Sequence, residues 1–154
     1  MTPRLPNRVA RVSGFSLVEL MVVVAIAIVL TILAVPAWQR HTERGWRMQA
    51  RAELVSAMLA LERHALVHLT FASTADGATP AGKWPKPVPP PPARTRHWLT
   101  ATSCEGIALS RCVEVRAAPA RPDPLCGTLV LRSNGEWLYL PTPDGHAMPL
   151  PPEC

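Results

Sequence analysis

The sequence predicts an α+β chain in which one long N-terminal helix packs on a small antiparallel sheet. Three observations carry that prediction. Phe15 to Val35 is apolar with Glu19 as its single ionisable residue, Trp38 to Leu69 lacks proline and places apolar residues at helical spacing, and the C-terminal third alternates apolar with polar residues between turn signals. A length of 154 residues accommodates one compact domain plus a membrane or targeting element.

Residues 1–14 are basic through Arg4, Arg8 and Arg11, are broken by Pro3 and Pro6, and end in Ser13-Gly14, which reads as a leader peptide. These arginines also dominate the formal charge of +5, and without them the surplus falls to about +2, too small and dispersed for a nucleic-acid footprint. Residues 15–37 follow as a transmembrane or assembly helix. At about 1.5 Å per residue, Phe15 to Val35 spans roughly 30 Å, the hydrocarbon thickness of a bilayer. An ordinary secretory signal would be shorter and would rarely hold a carboxylate.

Residues 38–69 continue as an amphipathic half-helix, with Ala50, Leu54, Met58, Leu61 and Ala65 as the buried stripe and Val55, Leu59 and Leu66 widening it. Arg40, Arg44, Arg47 and Arg51 form a basic strip that reads as a solvated face, and Glu43 stands four residues before Arg47, an order that supports a helix. Residues 70–98 form a proline-rich loop, because Pro85, Pro87 and Pro89 to Pro92 can neither continue a helix nor donate to a sheet ladder. Such a run can bind SH3-like or WW-like domains, but in an exported chain a stiff surface connection is the preferred reading.

Residues 99–154 read as an antiparallel β head of three or four strands with a tied-down tail. Val113 and Val115 alternate with Glu114 and Arg116, Thr128 to Arg132 is a branched apolar run, and Asn134-Gly135 precedes Trp137 to Leu140 as a hairpin signal. The tail from Pro141 to Cys154 is proline-rich and is expected to cross the sheet irregularly.

No catalytic constellation is found: G-x-S-x-G, Walker and dinucleotide fingerprints are all missing, and no cofactor is implied. Of the five histidines, His64 and His68 alone share a metal-compatible i, i+4 spacing, and without a nearby thiol or carboxylate they read as helix-surface residues. No metal site is therefore expected. Cys104, Cys112, Cys126 and Cys154 permit three pairings, suit an oxidising compartment, and contain no C-x-x-C for zinc.

The most informative string is Gly14-Phe15-Ser16-Leu17-Val18-Glu19-Leu20-Met21 before an unbroken apolar run. It resembles the class III signal of the type IV prepilin and pseudopilin family. That resemblance implies cleavage between Gly14 and Phe15 by a prepilin peptidase that also methylates the Phe15 amine. It further implies filament assembly through the N-terminal helix, with Glu19 and Pro36 as assembly residues and the type IV pilin fold for the whole. Chemistry supports the reading. A carboxylate in an apolar span costs about 2.5 to 3.5 kcal/mol or more, so Glu19 needs a partner, and the amine of a neighbouring subunit's Phe15 would supply one.

Arg51 to Leu54, Leu61 to Arg63, Cys126-Gly127-Thr128-Leu129 and the terminal Cys154 further resemble the PilE-like minor pilins. This favours a Cys126–Cys154 disulfide that closes the tail, with Cys104–Cys112 closing a local loop. The proline-rich loop and the second cysteine pair depart from the usual pattern. The implied partners are other pilin subunits, the peptidase, the inner-membrane assembly machinery and membrane lipid. The implied location is the inner membrane, with the C-terminal domain in the periplasm, and then a pilus at the cell surface. Flanking charge selects no orientation, since three arginines precede the span and four follow it. Alternatives are a type II secretion pseudopilin, or a pilus-tip module binding DNA or a surface through Arg40 to Arg51 or through Arg94 and Arg96.

Overall fold

The computed structural model describes residues 15–74, 77–143 and 145–154. The chain divides into two units, one ending at His41 and one formed by Thr42–Cys154. The architecture is α+β. Helix α1 (Leu17–His68) is followed by β1 (Lys86–Val88), β2 (His97–Ser103), β3 (Val113–Pro119), β4 (Thr128–Arg132), β5 (Trp137–Leu140) and β6 (Met148–Pro149). The six strands form one antiparallel meander in chain order.

Period-2 alternation divides the sheet into two faces. Leu99, Val113, Val115, Ala117, Leu129 and Leu131 join Ala50, Leu54, Ala57, Met58 and Leu61 of α1 in the main core. Val130, Leu138 and Leu140 make a second small cluster. Beside it, the buried Glu114 carboxylate lies in the ladder opposite Arg132 and accepts from Arg132 Nε at 3.1 Å and Arg116 Nε at 2.8 Å. A buried charge needs this kind of double partnering to be tolerated.

Several boundaries differ from the sequence expectation. Residues 70–98 are not entirely loop: Lys86–Val88 pairs with β2, and β2 begins at His97 rather than at 99. Proline suits β1 because it is an edge strand, where a missing donor costs little. The tail is not wholly irregular either, since Met148 and Pro149 pair with Tyr139 and Leu138. Six strands therefore replace the three or four expected. Val55, Leu59 and Leu66 do not widen the buried stripe; they are 42%, 47% and 81% exposed.

The β4–β5 connection is a three-residue loop. Arg132 pairs with Glu136, the Gly135 N–H reaches the Arg132 carbonyl at 2.9 Å, and Gly135 alone takes the left-handed conformation at φ 84°. This is a type I turn closed by a glycine bulge. Gly127, at the start of β4, has φ 51°, and a Cβ there would collide with the Leu140 carbonyl oxygen across the ladder, whereas a Cβ on Gly135 meets open space. Gly135→Ala should thus cost only the backbone penalty of about 1 to 2 kcal/mol, while Gly127→Ala should cost about 3 kcal/mol or more because the ladder must also move. Urea unfolding followed by tryptophan fluorescence would measure both, and equal losses would contradict the steric account.

Candidate functional site

The first unit contains the apolar part of α1. By length and composition this helix can cross a membrane: its best window has mean hydropathy 3.0 and none of it is buried. The Leu20 N–H donates to the Ser16 carbonyl at 3.1 Å, so Ser16 stands at the cap and Glu19 falls in the first turn. Glu19 stands three residues after Ser16, the spacing of a capping box, but among the described residues no hydrogen bond joins its side chain to Ser16, so its local role is electrostatic. The carboxylate accordingly has a local role at the positive end of the helix dipole, worth about 0.3 to 1 kcal/mol at an exposed terminus. A carboxylate placed at membrane depth would cost more than this, about 2.5 to 3.5 kcal/mol or more.

Pro36 lies inside α1, which continues through it, so it does not end the helix. Its missing N–H deprives Ile32 of the usual acceptor partnership, and the Pro36 carbonyl accepts from Arg40 Nε at 3.3 Å. The expected cleavage residue Gly14 and the expected leader, residues 1–14, lie outside the described residues. Phe15 precedes the helix and is exposed.

In the second unit, α1 carries two apolar stripes. Ala50, Leu54, Ala57, Met58 and Leu61 are buried, whereas Met48, Val55, Leu59 and Leu66 are exposed and recur at spacings that also hold one face. With about 100° per residue, the stripes are separated by roughly 140° around the axis. One side meets the sheet and the other stands free of it.

The basic strip is not merely solvated. Arg47 makes a bidentate pair with Asp123, Nε to Oδ2 at 2.7 Å and Nη2 to Oδ1 at 2.9 Å, in place of the local pairing with Glu43. The Arg51 guanidinium lies 4.9 Å from the Trp137 ring centroid. Arg44, Met48 and Arg51 line a groove of about 380 Å³ with Pro152, Glu153 and Cys154 of the tail. Asp123 also accepts from the backbone N–H groups of Leu125 at 3.0 Å and Cys126 at 3.2 Å, an Asx-type turn immediately before the cysteine. Cys126 is bonded to Cys154, closing a sequence separation of 28, and Cys104 is bonded to Cys112. A closure of that length is worth about 3 to 4 kcal/mol on a chain-entropy account.

Arg96 is half-buried, with its guanidinium 4.9 Å from the Trp46 ring, rather than freely exposed as expected for a nucleic-acid contact; Arg94 is exposed. Arg47, Arg51 and Arg96 are therefore engaged within the head. Among the described residues, no group of three or more metal-ligating side chains comes together. The chain matches no known protein family, curated protein or solved structure.

His97 begins β2 buried, near Asp123, Glu43 and Arg47, and its Nδ1 has no partner. Burial is the largest influence and lowers its pKa; the charges of Asp123 and Glu43 oppose this and that of Arg47 adds to it, with a net lowering. For Asp123 burial raises the pKa, but hydrogen bonds from Arg47 and from the Cys126 and Leu125 amides, with the Arg47 charge, outweigh it and leave the carboxyl below its usual range.

Both shifts act in the same direction. A depressed histidine contributes stability that is full above its unfolded value of about 6.5 and is lost as pH falls towards the folded value. Asp123 contributes above about 3.9 and fails only in stronger acid. The head should hence lose stability in two acid steps. His97→Gln should flatten the first, measured as melting temperature between pH 7.5 and 4.5, and an unaltered slope would exclude His97 as its source.

Proposed function

We propose that the chain is a structural minor subunit of a type IV pilus. In this reading it is inserted in the inner membrane with its head in the periplasm, cut after Gly14, methylated at Phe15, and drawn into the filament through α1. The observation that carries the reading is the apolar, unburied first half of the helix with one carboxylate in its first turn. An apolar helix of this length needs lipid or other apolar helices around it. Glu19 needs a positive partner, and cleavage would create one at the neighbouring Phe15 amine. The exposed stripe from Met48 to Leu66 extends the apolar surface of α1 beyond the span and gives neighbouring subunits a second face to pack on.

Two outcomes test the proposal. Mass spectrometry of the mature chain should find its N-terminus at a methylated Phe15, whereas an assembled chain beginning at Met1, or near Ala37, would rule the processing step out. Glu19→Gln removes the charge while keeping the size and polarity of the side chain, and Glu19→Ala removes both. Both Glu19→Gln and Glu19→Ala should leave the head folded and largely abolish recovery with sheared pili. Normal recovery of Glu19→Gln would show that assembly needs no charge at Glu19 and would overturn the pairing.

A further inference from the structure

At the far end of α1 the chain places two imidazoles together. The His64 and His68 rings stack with centroids 4.2 Å apart and planes inclined by 29°. His64 Nε2 lies 2.9 Å from the Ala72 carbonyl oxygen. A carbonyl only accepts, so Nε2 must carry the hydrogen, and the neutral ring then presents the Nδ1 lone pair away from that bond. Metal-ligating histidines are commonly oriented in this way, one nitrogen tied to a fixed acceptor and the other left for the ion.

The acceptor is firmly held. Leu69 turns the chain back at φ 56° while its N–H reaches Ala65 at 2.8 Å, the Ala72 N–H donates to Thr70 Oγ1 at 3.2 Å, and Ala72 is buried and bridged to Pro80. Neighbouring Phe71 donates to the Leu109 carbonyl at 3.0 Å and accepts from Ala81 at 2.8 Å. His64 is therefore a preset ligand, and His68, about one turn on and exposed, would turn its ring out of the stack for its nitrogen to converge.

We propose that His64 and His68 form a binding site for a divalent transition ion that favours imidazole, with Cu²⁺ held most tightly and Ni²⁺ and Zn²⁺ less so. His64 Nδ1 is one ligand, a ring nitrogen of His68 is the second, and water completes the coordination. The intervening Ala65-Leu66-Val67 lacks the glutamate that would act as general base in a helical zinc hydrolase, so the site binds an ion without hydrolytic chemistry. The pair is remote along the helix from Glu19, and so ion binding and filament assembly can fail independently.

The test is titration of the full chain in detergent micelles with CuCl₂, and separately with ZnCl₂, followed by calorimetry. One ion per chain is expected. His68→Ala and His64→Gln should each weaken binding on the order of a hundredfold through loss of the second anchoring group. Glutamine at 64 can still donate to Ala72, so the melting temperature of the metal-free protein should change little. His41→Ala and His146→Ala should leave the affinity unaltered. With Zn²⁺, the ¹⁵N resonance of His64 Nδ1 should shift while Nε2 remains protonated. No saturable binding, an affinity insensitive to both substitutions in the pair, or ligation through His64 Nε2 would each overturn the proposal.

Discussion

The Asp123 carboxylate is the point on which the head depends, because it ties helix α1 to a turn 76 positions further along the chain. Its oxygens take two hydrogen bonds from Arg47 on α1 and two from the amides of Leu125 and Cys126. A single acidic side chain thus sets both the seat of the helix and the turn that presents Cys126. From that turn follow the disulfide to Cys154 and, one residue later, the tight approach of Gly127 to the Leu140 carbonyl. Both members of the pair are largely shielded from water, with side chains 13% and 11% exposed, so removing one partner leaves a desolvated charge behind. Burial likewise holds the pKa of the neighbouring His97 below its ordinary value, so the junction is the part of the head expected to weaken in acid.

The sheet limits how the molecule can associate. An open meander has two edges, and each edge strand here contains proline: Pro87 in β1, opposite Trp98, and Pro149 in β6, opposite Leu138. Each strand is only two or three residues long. Short, proline-bearing edges are poor templates for another strand. Edge-to-edge growth of the sheet is disfavoured, and apolar association falls to the helix.

The strong local signals in the sequence correspond to elements that exist. The apolar run, the proline-free amphipathic half and the Asn134-Gly135 hairpin each derive from short-range rules of periodicity or turn chemistry, and α1, β4 and β5 appear where those rules put them. β1 and β6 were illegible because two or three residues carry no period and because proline argues locally against a strand. The pairing of Arg47 with Asp123 crosses 76 positions of sequence, beyond any spacing rule, and it displaced the local Glu43 partner. The stripe containing Val55, Leu59 and Leu66 was legible as apolar but not as to side: two apolar stripes on one helix look alike until a sheet covers one of them.

That second stripe bears on what the helix is for. Burying a Leu or Val side chain is worth about 1.5 to 3 kcal/mol, so an isolated head would gain by covering these residues or replacing them with polar ones. It does neither, although the same 52-residue helix places Arg47 and Arg51 against partners in the head. The amphipathic design is therefore selective: the charged residues near the start of the head are used internally, while Met48, Val55, Leu59 and Leu66 remain uncovered. In the filament proposed above, these exposed apolar residues at regular helical spacing would serve as a surface for another apolar helix. With proline in both short edge strands, the sheet offers no competing template for such an association.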